Sequence, residues 1–135
     1  MKKIIKVFLA KIGYKIIKSN DFVLDHKTKY LRVGFDSNVE NMNCVVRTLT
    51  QYEYPISVGS HSIINGNFII ENENGKIEIG SNTFIGGGMF ISICGIEIGN
   101  DVMISWGCTV IDNDAHSLNS YERTNDVNDW KRGID

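Results

Sequence analysis

The stretch Thr109–Leu118, "TVIDNDAHSL", starts as an aliphatic pattern, breaks into Asp112-Asn113-Asp114-Ala115 and then delivers His116. Imidazole is the side chain whose ordinary titration lies nearest neutrality, so it can take a proton from an attacking group and return it. At a break in a regular pattern, the ring can face a groove instead of a packed core. Asp112 and Asp114 are the neighbouring carboxylates that could orient the ring and stabilise its charged form. The other reading of His116 is a solvent-exposed loop residue. His26 and His61 read as ordinary surface residues, His61 on the outer side of a repeat. Three isolated histidines lack the close spacing of a metal-ligand set, so no metal is expected. The run Gly86-Gly87-Gly88 lacks the lysine of a phosphate loop, and close approach of a neighbouring backbone or ligand is the better reading.

The elements that must hold His116 are repeats. "LRVG" at Leu31, "ISVG" at Ile56 and "IEIG" at Ile77 and Ile96 start 25, 21 and 19 residues apart. Within them runs a step of six: Val33, Val39, Val45; Val58, Ile64, Ile70; Ile79, Ile85, Ile91; Ile98, Ile104, Val110. Glycine follows the aliphatic at Gly34, Gly59, Gly80, Gly86 and Gly99. Six fits neither a helix nor a simple alternating hairpin. It fits a coil of three short flat sides with one inward aliphatic per side and small residues at the corners. Coils stacked at the strand spacing of about 4.8 Å would share one continuous core. The competing reading is a set of hairpins, for which Asn74-Gly75 is the strongest signal.

The first 20 residues carry six lysines and no acid, whereas residues 21–135 carry the other eight basic residues against all sixteen acids. An acidic body argues against a nucleic-acid surface. Residues 1–20 read as a basic amphipathic helix, with Ile5, Phe8, Leu9, Ile12 and Ile16 on one face. It would cap the first coil or touch anionic lipid. Cys44, Cys94 and Cys108 show no C-x-x-C spacing and read as reduced, buried thiols of a cytosolic protein. No apolar run approaches membrane-spanning length, and Lys6, Lys11 and Lys15 interrupt any signal-peptide core.

The repeated [Ile/Val]-Gly-x-x-[small]-x resembles the hexapeptide-repeat acyltransferases. The segment "IEIGNDVMISWGCTVIDNDAHSLNSYER", with His116, Leu118 and Arg123 in a His-x-Leu-x4-Arg pattern, resembles the sugar O-acetyltransferases of the maltose/galactoside and polysaccharide-cluster types. "NDVNDWKRGI" is similar to the acceptor-side loop of the latter. The resemblance covers about residues 31–135. It implies an all-β fold, a left-handed parallel β-helix over residues 21–118 with the short N-terminal helix before it and the start of an acceptor loop at 119–135. The hand is implied by the family alone, because the usual crossover rule is right-handed.

The resemblance also implies transfer of an acetyl group from acetyl-CoA to a sugar hydroxyl of a surface polysaccharide, with His116 as general base. Backbone N–H donors would hold the tetrahedral intermediate, and close positioning would supply the rest. Arg123 would bind a sugar hydroxyl or carboxylate, or pair with Glu122 or Asp126 on a solvated loop. Trp106 and Trp130 would stack on a sugar or pack against a neighbouring subunit. A homotrimer is implied, in the cytoplasm, with a peripheral position at the inner membrane face as the other placement. Two features depart from the family. "IGGGMF" stands where the maltose type carries an asparagine, and the later coils that form most of the acyl-CoA groove do not follow, which gives the expectation of a C-terminally truncated chain. The second class of function is therefore a non-catalytic β-helix fragment or assembly module.

Overall fold

An aliphatic at every sixth residue is buried here by wrapping the chain into flat-sided coils. The computed structural model describes residues 14–17, 21–24, 29–114 and 116–132. Strands β1 (Tyr14–Ile17) and β2 (Asp21–Leu24) form an antiparallel hairpin. The first coil carries β3 (Leu31–Gly34) and β4 (Met42–Val46), with Asn38 bridging to Ile63 between them. The second carries β5 (Ile56–Val58), β6 (Ile63–Ile64) and β7 (Gly66–Ile70). The third carries β8 (Ile77–Ile79), β9 (Phe84–Ile85) and β10 (Gly88–Ser92), and the fourth β11 (Ile96–Ile98), β12 (Met103–Ile104) and β13 (Cys108–Ile111). Two short helices follow, α1 (Ser120–Arg123) and α2 (Asp126–Arg132). Corresponding strands stack in parallel into three sheets, β3-β5-β8-β11, β6-β9-β12 and β4-β7-β10-β13, so the molecule is a parallel β-helix. Asn74-Gly75 turns a corner between two sheets and makes no hairpin.

Each side contributes a buried column. Leu31, Ile56, Ile77 and Ile96 lie in register on the first sheet, and Val39, Ile64 and Ile85 line the second. Phe68 and Phe90 stack on the third, with ring centroids 4.7 Å apart and planes 2° from parallel. A hydroxyl column, buried at Ser62 and Thr83, ties successive coils at one corner. Ser37 Oγ donates to the Gly59 carbonyl (2.7 Å), Ser62 Oγ to that of Gly80 (3.1 Å) and Thr83 Oγ1 to that of Gly99 (3.0 Å). In turn, each hydroxyl oxygen accepts the backbone N–H of the next coil, from Ser62, Thr83 and Val102.

Beside it runs the glycine column. A Cβ on Gly59 would lie 2.6 Å from the Gly80 carbonyl carbon, and one on Gly80 would lie 2.6 Å from that of Gly99. Nothing lies within 4 Å of such a Cβ on Gly99, because no described coil stacks on the fourth. Gly59→Ala should therefore force the coils apart and cost about 1–3 kcal/mol, as other overpacking changes do. Gly99→Ala should stay within about 0.5 kcal/mol of wild type. Denaturant unfolding of the two variants checks the contrast, and equal effects would contradict it.

The structure corrects three expectations. On the third side the sixfold step holds at Ile70 and Val110 and fails at Val45 and Ile91. Val45 and Ile91 belong to an outward column, Val45-Ile69-Ile91-Ile111, while Cys44, Phe68, Phe90 and Val110 form the inward one. The physical reason is the corner before it. One residue, Asn65, separates Ile64 from Gly66; two, Gly86 and Gly87, separate Ile85 from the paired Gly88; three, Ser105, Trp106 and Gly107, separate Ile104 from the paired Cys108. The strands stay in register, so each added residue moves the inward position one place along the count: Phe68 lies four residues after Ile64, Phe90 five after Ile85 and Val110 six after Ile104. Second, Tyr14–Ile17 is a strand where a helix was expected. Aromatic and β-branched residues suit extended backbone, and β1 and β2 extend the edge of β3, which carries out the covering role expected of a helical cap. Residues 1–13, with the rest of the amphipathic pattern and its lipid reading, lie outside the described residues, as do His26 and residues 133–135. Third, Cys94 and Cys108 are exposed; only Cys44 is partly enclosed, and burial pushes its thiol up to about 12.

Candidate active site

His116 follows the fourth coil, where β13 ends and the chain leaves the third sheet. Its position is fixed by what comes after it. Asn119 caps α1, its side chain accepting the Tyr121 N–H at 3.0 Å, and Ser117 Oγ donates to Glu122. After that turn, α2 places Asp126 and Trp130 four residues apart, on one helix face. Both meet the imidazole. Asp126 Oδ2 lies 3.0 Å from His116 Nδ1, and the Trp130 ring centroid lies 5.2 Å from that of His116 at a tilt of 42°. The His116 side chain is 42% exposed and that of Asp126 23%. With its proton on Nδ1 donated to Asp126, the ring presents Nε2 as its basic nitrogen to solvent or substrate.

The carboxylate on the ring is thus neither Asp112 nor Asp114. Asp114 reaches His116 through the backbone, its carbonyl accepting the His116 N–H at 2.6 Å, and its side chain is exposed. Asp112 is committed to the coil below. It accepts the N–H groups of Ile93 (2.8 Å), Cys94 (2.9 Å) and Gly95 (2.6 Å), and the hydroxyl of the fully buried Ser92 (2.7 Å). Successive N–H groups make an anion-holding concavity, and here a carboxylate one coil away fills it. Desolvation raises the Asp112 pKa, but the hydrogen bonds from Ile93, Cys94, Ser92 and Gly95 outweigh it and hold the carboxyl down at about 2. A folded value below the ordinary 3.8 means that the unfolded chain binds the proton first as pH falls. Asp112 therefore stabilises the fold above about pH 4, and that contribution fades as pH drops towards 2. Asp112→Asn should lower the melting temperature at pH 7, and the gap to wild type should narrow between about pH 4 and pH 2. A gap independent of pH would contradict the assignment.

The remaining candidates are spread out. Arg123 is the last residue of α1, exposed, with its backbone N–H on the Asn119 carbonyl at 3.1 Å. Trp106 sits on the widened corner, 81% exposed. It walls an open groove of about 350 Å³ with Asn67, Gly87, Gly88, Met89 and Thr109. Gly88, at φ 150°, has no room for a side chain, since a Cβ there would overlap the Cys108 carbonyl oxygen. The glycine run thus serves close backbone approach, and the groove follows from it. His61 is exposed at a corner in the left-handed region (φ 57°), its Nδ1 3.4 Å from Asp36. Among the described residues no group of three or more His, Cys, Asp or Glu converges as a metal site. Among them, too, no helix is long and apolar enough to cross a membrane. Asp126 was visible in the sequence only as a pairing partner for Arg123. An acid ten residues beyond a candidate base carries no signal until a turn and a helix fold it back. Comparison with protein-family models, curated proteins and solved structures finds no match to this chain.

Proposed function

We propose that this protein is an O-acetyltransferase that moves an acetyl group from acetyl-CoA to a sugar hydroxyl, with His116 as general base. One observation carries the reading: a histidine at the exit of a parallel β-helix coil has Asp126 at 3.0 Å on Nδ1, which leaves Nε2 to accept a proton. The thioester supplies the acetyl group. His116 takes the hydroxyl proton as the oxygen attacks and returns it to the leaving thiolate. Asp126 holds the ring in the required tautomer and stabilises the imidazolium that forms. Trp130 packs on the ring and limits its tilt. The groove beside Trp106 offers an aromatic plane with the Asn67 amide and the Thr109 hydroxyl nearby, a combination suited to a sugar ring. The two outward apolar columns, Ile63-Phe84-Met103 and Val45-Ile69-Ile91-Ile111, support lateral packing into a homotrimer.

Asp126→Asn keeps the shape of the side chain and removes its charge. The hydrogen bond to a charged imidazolium is worth about 1.5–3 kcal/mol, so turnover should fall roughly 10–100-fold with the fold unchanged. Steady-state rates of thiol release from acetyl-CoA with glycan acceptors, alongside circular dichroism, test this. A variant as active as wild type would remove Asp126 from the mechanism. The second reading, an assembly module, is favoured by the outward apolar columns Ile63-Phe84-Met103 and Val45-Ile69-Ile91-Ile111.

A further inference from the structure

The His116 ring is held by Asp126 and Trp130, and both stand on α2. The hydrogen bonds that fold this part of the chain stay within it. His116 N–H donates to the Asp114 carbonyl, Arg123 N–H to that of Asn119, and the Asn128 and Asp129 N–H groups to that of Asn125. Helices α1 and α2 bury no residue. The tie to the coils lies just before this cluster, at Asp112. Its N–H donates to the Ile91 carbonyl at 3.3 Å, closing the ladder of β13 on β10. Its carboxylate accepts the Ile93, Cys94 and Gly95 N–H groups and the Ser92 hydroxyl, all at the corner that ends β10. Ser92 Oγ, fully buried, also accepts the Lys76 N–H at 3.3 Å, so the anchor reaches the corner before β8 as well.

We infer that Asp112 is a positioning residue for His116: by pinning the chain to the corner after β10, it fixes where the His116–Asp126–Trp130 cluster stands against the coils. Its oxygens are occupied by the coil, so it acts on the ring through place and not through the proton. Four donors aimed at one carboxylate leave it a single orientation, whereas an untied loop samples many. Asparagine cannot substitute fully, because its amide nitrogen is a donor and would face backbone donors. A base displaced by about 1 Å can lose roughly 10²-fold in rate. The expected loss of turnover rests on the transferase reading, whereas the expected loss of geometry does not.

Asp112→Ala tests it, with Asp112→Asn as the milder variant should alanine unfold the chain. By amide NMR relaxation, α1 and α2 of the wild type should move with the coils, at order parameters of about 0.85. In the variant those of α1 and α2 should fall below about 0.6, while β10 and β13 keep theirs. Asp126 moves with the ring, so kcat should fall by up to roughly 10²-fold with the pH midpoint of the rate unchanged. Formate is a free carboxylate that can fill the concavity alanine leaves. It should raise the variant's melting temperature without restoring kcat, because it is not joined to His116. Recovery of both together would mean that Asp112 only stabilises the fold, and would overturn the inference. Order parameters of α1 and α2 unchanged in a folded variant would overturn it too, as would wild-type helices that already move independently of the coils. No acetyl transfer by the wild type would instead end the transferase reading, and the relaxation result would still decide this one.

Discussion

Replacing His116 with alanine should lower acetyl transfer by about 10²–10⁴-fold, the usual contribution of a positioned general base. A sugar hydroxyl holds its proton firmly near neutral pH, so attack on the thioester is slow unless a base receives that proton during the step. His116 is placed for this on the strength of two contacts, Asp126 on Nδ1 and Trp130 against the ring. Both contacts come from α2, which buries no residue. Removing the imidazole should therefore leave the coils intact and unfolding unchanged, separating a chemical loss from a structural one. His116→Gln should be as inactive as His116→Ala, since glutamine can keep a hydrogen bond to Asp126 but cannot take the proton. Parallel thiol-release rates and melting curves of both variants are the check. Activity retained by either would contradict the assignment.

The largest stability loss should come from Phe90→Ala. Phe90 is fully buried, lies in register with Phe68 below and Val110 above, and stacks face to face on Phe68. Truncation removes a large apolar side chain and leaves a hole lined by parallel sheets whose spacing is fixed by their ladders, so little collapse can repair it. A cost of about 3–5 kcal/mol is expected. For a domain of this size it should lower the melting temperature by roughly 10 °C or more. Ile91→Ala, one residue along and on the outward column, should cost far less. Equal losses at the two positions would mean that the register of the third side is wrong.

That comparison also marks how far the sequence could be read. The Ile-Ser-Val-Gly and Ile-Glu-Ile-Gly starts located β5, β8 and β11 and their glycine corner directly. There a side chain has one inward direction and the next coil's backbone leaves no space, so composition and geometry coincide. On the third side the same step of six named Val45 and Ile91 as core, when they face outward. Corner length decides which residue turns inward, and that corner holds two residues in the first coil, Glu40-Asn41, then Asn65, Gly86-Gly87 and Ser105-Trp106-Gly107 in the next three. A periodicity count averages over such insertions. The same lengthening carries Trp106 outward and opens the groove beside it. His116 was legible as the point where the pattern breaks. Its partner was not, because Asp112 stands closer in sequence but is drawn back to Ile93–Gly95, while Asp126 arrives only through two helices.

The most direct measurement is release of free thiol from acetyl-CoA by the wild-type chain against a panel of glycan acceptors, with the product glycan examined for an added acetyl ester. Acceptor-dependent release, matched by acetyl on a sugar hydroxyl and lost in His116→Ala, is the predicted result. Release that ignores the acceptor, or none with any glycan from a protein shown to be folded, would contradict the transferase reading and leave the assembly reading of the β-helix in its place.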